Sequence, residues 1–238
     1  MDFVRERDGV DYRTARERLG LALPAPDPAR PSIRPPVPNT SVDPPPARWR
    51  QAAGEFQGET AWWLWQPEGE RALDYLHRRG FRDRAILQAG LGYNPQDRRV
   101  PREEWGLSPD PDHPIWLPRG IVIPWFVHGE IWRINIRRPL SPRQIEAGEP
   151  KYVGPAGWRN CLYNVDALDG ERPAMLVEGE LDALAVWQEA ADVALAVATG
   201  SAGGGRSGGW LGRLAYAPLV LVAFDADDAG DKASAYWL

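Results

Sequence analysis

Cysteine is nearly absent: Cys161 is the only one in 238 residues. A lone thiol closes no internal disulfide, and a zinc site of three or four cysteines is excluded with it. That scarcity points to a reducing, cytoplasmic setting. Long apolar runs are missing too. No stretch approaches the roughly 18–20 apolar residues of a membrane span, so no membrane is expected as a partner. The opening MDFVRERDGVDYRTA lacks the apolar core of a secretory leader. What remains is the make-up of an ordinary globular chain, 43% hydrophobic and 26% charged, with length for one or two domains.

The net charge of -5 runs against a nucleic-acid binder only on average. From Arg119 to Arg159, seven Arg/Lys stand against three Glu; from Asn160 to Leu238, four stand against twelve Asp/Glu. A basic segment beside an acidic one suits a protein that holds a polyanion on one side and a cation on the other. Two solvated surfaces of opposite sign would give the same count.

Residues 1–21 read as a short helix ending at Gly20. Ten prolines between Pro24 and Pro46 forbid a regular helix or central strand, so a mobile or polyproline linker is expected there. A tryptophan-rich helix is expected over about 48–66. Its Trp62, Trp63 and Trp65 fit a core more readily than a base-stacking surface. ERALDYLHRRGF and RDRAILQAGLGYNP read as two further short helices, stopped at Gly80 and Gly90. A proline-rich loop is expected over about 95–118. GIVIPWFVHGEIWRINIRR reads as a β-hairpin turning at His128-Gly129. On its second strand Arg133, Asn135 and Arg137 fall at period two and share a face. That face suits phosphate or plain solvent equally. Ile134 and Ile136 lie opposite, and Ile131 breaks the pattern.

From Pro173 apolar strands alternate with helices: AMLVE, a helix over Leu181–Ala190, VALAVA, the glycine-rich Thr199–Gly209, a short helix, PLVLVAF, and a helix from Ala229. Such alternation predicts a parallel sheet with helices on its faces. Ligands of these sheets bind beyond the strand carboxyl ends, and here the first and third strands both end in acid. The first ends at Glu178, with Asp182 one helical turn on; the third ends at Asp225-Ala226-Asp227. An extended end would aim Asp225 and Asp227 to one side. The two clusters meet at one rim if those strands are neighbours. Crowded carboxylates repel unless they hold cations, and a hard divalent ion such as Mg²⁺ or Mn²⁺ suits oxygen donors while keeping positions for phosphate. Asp228 and Asp231 fit helix capping as well. The glycine-rich loop matches no established phosphate-binding motif and reads as a flexible connection.

VEGELDAL followed by AFDADDAG resembles the Toprim signature, a glutamate after one strand and a D-x-D after a later one. That fold is shared by primases, topoisomerases, recombination mediators and certain nucleases. The upstream segments YLHRRGFRDRAILQAGLGYNP, RGIVIPWFVHGEIWRINIRR and KYVGPAGWRNCLYNVDAL resemble, in that order, the polymerase domain of bacterial DnaG-type primases over about residues 70–238. The resemblance implies a Toprim Rossmann-like α/β parallel sheet over 173–238, preceded by a smaller α+β subdomain over 48–172. A linker over 22–47 and the tail of a zinc-ribbon domain over 1–21 would come before them. The implied reaction is template-directed synthesis of short RNA primers on single-stranded DNA from ribonucleoside triphosphates. Glu178 would be nearest the general-base role, and Asp225 and Asp227 would bind metal with Asp182 assisting. Arg133, Arg137, Arg138, Lys151 and Arg159 would line template or nucleotide phosphates, Arg159 standing where the family has a lysine. Zinc would belong only to the missing N-terminal domain, and a replicative helicase is the expected partner. The family's further acidic motif is not reached, so the Toprim sheet is expected to be incomplete and this fragment weakly active or inactive. Another Toprim enzyme of nuclease or topoisomerase type, or a non-catalytic nucleic-acid-binding module of a mobile element, are the competing readings.

Overall fold

The structure is a computed structural model that describes residues 43–201 and 204–237. The helix expected over 1–21 and most of the proline-rich linker lie outside the described residues. Helix α1 (Ala47–Leu64) starts directly after Pro46, whose fixed φ suits a helix entry. Its buried residues Trp49, Ala52, Ala53, Phe56, Thr60 and Leu64 recur at three and four, one stripe of a helix. Trp62 falls off that stripe, is 57% exposed, and packs edge-to-face on Trp63 at 4.7 Å. The expectation of a buried Trp62 therefore fails: the stripe it would join is already set by Trp49 and Phe56. Helices α2 (Glu70–Arg78) and α3 (Asp83–Gln88) follow.

Strands β1 (Gly92–Asn94), β4 (Gly120–Val127), β5 (Glu130–Arg137) and β6 (Tyr152–Val153) form an antiparallel sheet in the order β1-β4-β5-β6. The expected hairpin is β4–β5. His128 and Gly129 both take positive φ, 54° and 75°, which a two-residue hairpin turn with the sheet's own twist requires. Where a proline-rich loop was expected, β2 (Arg98–Val100) pairs antiparallel with β3 (Ile115–Leu117). Strands of three residues are too short to show a periodicity.

The register explains why Ile131 breaks the pattern. Trp125 pairs with Arg133, but Phe126 pairs with Ile131, so Trp132 is an extra residue in a β-bulge. The bulge shifts the alternation by one. Ile131 thereby joins Ile134 and Ile136 in a core with Trp49, Phe56 and Trp105. Trp132 turns to the opposite core with Ile121, Ile123 and Trp125. The sheet is thus covered on both faces.

The last third is the predicted α/β layer. Strands β7 (Ala174–Val177), β8 (Leu195–Ala198) and β9 (Val220–Ala223) form a parallel sheet in the order β8-β7-β9. It carries α5 (Glu180–Ala190), α6 (Gly208–Leu214) and α7 (Asp228–Trp237), while α4 (Pro142–Glu146) lies between β5 and β6. Leu176, Leu181, Ala183, Val197 and Trp210 belong to the same core as Leu76, Ile86, Ile123 and Trp125, so the two sheets share one apolar interior. Among the described residues no helix is long and apolar enough to cross a membrane.

Candidate functional site

β7 and β9 are hydrogen-bonded parallel neighbours with Val177 opposite Ala223. Adjacent strands lie about 4.8 Å apart, so the chain positions of Glu178 and Asp225 leave the sheet side by side at its carboxyl rim. The Glu178 carbonyl accepts from Gly200 N at 2.8 Å, which ties the glycine-rich loop after β8 to the same rim. Asp182 is exposed in the first turn of α5.

The Asp225–Asp227 segment is not extended. Asp227 N donates to the Asp225 carbonyl at 2.9 Å, folding the pair into a tight turn. The Asp227 side chain then accepts from Gly230 N at 2.8 Å, and its carbonyl accepts from Asp231 N at 2.9 Å. Asp227 therefore caps α7, the role the sequence offered to Asp228 or Asp231. A Cβ at position 230 would collide with the Asp225 carbonyl oxygen, so only glycine lets the helix start so close to the strand end.

These donors are hard oxygens. Among the described residues no three His, Cys, Asp or Glu side chains gather into one coordination sphere. The set is thus no all-protein cage. Carboxylate oxygen is the donor type that an ion such as Mg²⁺ takes, one or two at a time, with water and substrate phosphate in its remaining positions.

A second feature is a cleft of about 420 Å³ lined by Arg71, Tyr75, Arg78, Arg119, Arg137, Arg138 and Lys151 among others. None of its lining residues among those described is acidic. Arg137 lies over the Tyr75 ring at 4.4 Å, and its Nε is buried with no hydrogen-bond partner. Arg138 gives its charge to Glu149 at 2.8 Å, and that hydrogen bond holds the Glu149 carboxyl below its usual range. Tyr75 also binds a cation outside the cleft lining. Its hydroxyl accepts from Arg79 at 3.0 Å, which raises the Arg79 pKa, with the Asp182 charge adding to the effect. Of the cations expected at phosphates, Arg137, Arg138 and Lys151 share this cleft. Arg71, Arg78 and Arg119 join them without a sequence signal, because they come from α2 and the residue before β4.

Arg133 lies elsewhere. It sits between two indoles, 4.2 Å over Trp125 and 4.3 Å over Trp158. Burial lowers its pKa against the raising pull of Glu180. Asn135, on the same face, is buried and donates to Glu180 Oε1, which also accepts from Trp125 Nε1 at 3.2 Å. The shared face is neither a solvated surface nor one continuous phosphate track: it divides between a buried network at Arg133–Asn135 and the open cleft at Arg137. Arg159 is exposed, with its backbone N–H on the Trp132 carbonyl at 3.0 Å.

Glu180 is what sequence reasoning missed. It is 3% exposed, and burial raises its pKa while the Asn135 and Trp125 hydrogen bonds and Arg133 oppose that shift. Only its place between Glu178 and Asp182 marked it, and charged residues early in a helix are common. Its partners come from the other sheet, about 45 to 55 residues upstream.

A family model described as Toprim-like matches residues 175–236. No curated protein matches the sequence. Among solved structures, a DnaG catalytic core aligns with a TM-score of 0.60 at 18% identity, covering 79% of this chain and 65% of that one. The RNA polymerase domain of Mycobacterium tuberculosis primase DnaG gives a TM-score of 0.60 at 23% identity, covering 79% and 69%. A DnaG primase catalytic domain bound to single-stranded DNA gives 0.60 at 19%, covering 79% and 66%. The chain therefore spans about two thirds of these cores. Residues 175–236 match the Toprim-like model, and the chain shares the fold of about two thirds of the DnaG-type catalytic cores.

Proposed function

We propose that this chain is a primase fragment of DnaG type, built for template-directed joining of ribonucleotides on single-stranded DNA. The observation that carries the proposal is the adjacency of β7 and β9, which brings the chain at Glu178 and Asp225 to one rim, in a fold that also holds a cleft lined by six cations. Phosphoryl chemistry asks for that pairing of acids and cations, because substrate and leaving group are both polyanions.

In this reading Arg137, Arg138 and Lys151, with Arg71, Arg78 and Arg119, hold template or nucleotide phosphates. Arg159 contributes from the segment after β6. Glu178, Asp225 and Asp227, with Asp182 assisting, would hold Mg²⁺ or Mn²⁺, which when bound supplies Lewis-acid stabilisation of the transferring phosphoryl group. The Glu178 carboxylate accepts the proton of the attacking 3′-hydroxyl. That oxygen forms a bond to the α-phosphorus as the bond to the bridging oxygen breaks, and pyrophosphate leaves. Asp227 keeps the α7 end docked against Asp225 through its cap on Gly230. A replicative helicase is the partner such an enzyme would serve.

The test is magnesium-dependent RNA synthesis on a single-stranded template by the full protein. Asp225→Ala should abolish synthesis while leaving template affinity within a few-fold. Synthesis that survives the substitution removes Asp225 from the chemistry. Template cleavage in place of synthesis would indicate a nuclease of the same fold.

A further inference from the structure

A tryptophan on the surface is usually mobile or half covered by neighbours. Trp158 is 38% exposed, yet its indole and the backbone on both sides of it are held by neighbours. Trp49 Nε1 donates to the Ala156 carbonyl at 2.8 Å, fixing the backbone before it to α1. Arg159 N donates to the Trp132 carbonyl at 3.0 Å, fixing the backbone after it to the bulge. Gly154 lies against its indole edge, so that a Cβ there would be 3.5 Å from Trp158 Cδ1. The Arg133 guanidinium covers one face at 4.3 Å and rests in turn on Trp125 at 4.2 Å. One face is thus covered by a cation, while Trp158 as a whole stays 38% exposed.

The column Trp125–Arg133–Trp158 also stands beside the acidic rim. A Cβ at Gly200 would be 2.7 Å from Trp125 Cη2 and 3.3 Å from an Arg133 terminal nitrogen, and Gly200 N donates to the Glu178 carbonyl at 2.8 Å. The Trp158 indole is thus one guanidinium layer from the loop bound to Glu178. Next to it in sequence, Arg159 is exposed and basic.

We propose that Trp158 is a fixed stacking platform for one nucleobase at the rim, with Arg159 taking the adjoining phosphate. The proposal rests on the primase-type reading above and adds the residue that receives a base. A flat π-face accepts any base without sequence preference. An indole already immobilised by Arg133 loses little freedom on stacking, so the contact keeps most of its strength. Arg133 is a positioning residue here: its charge is spent between two rings, and its Nε donates to Asn135 Oδ1 at 3.1 Å. The base comes from the template strand or from an incoming ribonucleoside triphosphate.

The full chain is titrated against a dye-labelled thymidine oligonucleotide, against an abasic strand of equal length, and against a fluorescent ribonucleoside triphosphate. Trp158→Ala should weaken the base-bearing strand about tenfold, leave the abasic strand unchanged, and recover most of the loss as Trp158→Phe. That pattern identifies a template base. An unchanged strand affinity with nucleotide binding weakened by a similar factor, again rescued by phenylalanine, identifies the incoming base. Equal affinities of wild type and Trp158→Ala for all three probes overturn the platform, as does an equal loss on the abasic strand. Wild-type chain that binds none of the probes overturns the platform and the primase reading together, whereas wild-type binding with an indifferent Trp158→Ala overturns the platform alone.

Discussion

Removing the amide that holds Glu180 tests the join between the two sheets. In Asn135→Ala the carboxylate loses the Asn135 donor and keeps Trp125 Nε1 at 3.2 Å, in surroundings where it is 3% exposed. A hydrogen bond to a charged group contributes about 1.5–3 kcal/mol, against about 1 kcal/mol for a neutral pair. The vacated amide volume adds a smaller penalty. A loss of about 3 kcal/mol is expected, which with a urea slope of about 2 kcal/mol/M lowers the unfolding midpoint by about 1.5 M. Because burial raises the Glu180 pKa, the comparison is made at a pH alkaline enough to ionise it; Glu180→Gln then removes a charge whose burial is unfavourable and keeps an oxygen acceptor, so alone it should move stability by about 1 kcal/mol or less. The same Asn135→Ala change made in Glu180→Gln should then cost only about 1.5 kcal/mol, a coupling of about 1.5 kcal/mol in a double-mutant cycle. Urea unfolding of the four proteins measures it. Equal costs of Asn135→Ala in the two backgrounds would refute the assignment of Glu180 as a tether, and would make Asn135 a space-filler.

Charge reversal at Arg137 or Lys151 should weaken single-stranded DNA binding and make the slope of log affinity against log salt shallower by about 0.7 per lost contact; an unchanged slope in salt titrations would take the cleft out of DNA binding. Cys161 is fully buried and its thiol is pushed up to about 12 by that burial, so a thiol reagent at pH 8 should modify less than a tenth of native protein within an hour and one equivalent after denaturation; rapid native labelling would contradict its burial. The Asp169 carboxyl is held down at about 2 by the backbone N–H groups of Arg172 and Glu171 and by the Arg172 side chain. A depressed carboxylate stabilises the fold above its unfolded value and loses that contribution as pH falls through the folded one. Asp169→Asn should therefore lower the urea midpoint at pH 6, with the gap to wild type closing between about pH 4 and pH 2; a gap independent of pH would mean that the charge is not what matters.

How much of this was legible in the sequence depends on the range over which each feature is set. The parallel layer was legible because its strands are short apolar runs and its helices follow at once, so local composition and order suffice, although only β7 and β8 are buried and the edge strand β9 is partly exposed. The hairpin was legible from His128-Gly129, since turn geometry is decided by two residues. The bulge at Trp132 was visible only as an unexplained parity at Ile131, because the extra residue acquires meaning when its partner strand is in place. The acids at strand ends could be found, but which of them caps α7 could not: Asp227, Asp228 and Asp231 are chemically equivalent until the turn at Asp225 closes. The basic cleft was half legible, because Arg137, Arg138 and Lys151 cluster in sequence whereas Arg71, Arg78 and Arg119 arrive with other elements.

The bulge gives these observations one physical cause. Without the extra residue, a strict period of two beyond position 133 would put Trp132 with Ile134 and Ile136 and send Ile131 to the face of Arg133 and Asn135. The bulge instead places Trp132 on the second core, where it packs edge-to-face on Trp210 of α6 at 6.0 Å, and gives its carbonyl to Arg159 N at 3.0 Å. On the same strand Asn135 reaches Glu180, and Arg133 passes between Trp125 and Trp158. The irregular residue in β5 therefore ties α6 and the segment that carries Trp158 and Arg159 to the hairpin, while Arg133 and Asn135 make their contacts from the regular part of the strand. A regular strand with the same composition could satisfy the apolar core, yet it would leave the indole and the arginine beside the rim without their anchor.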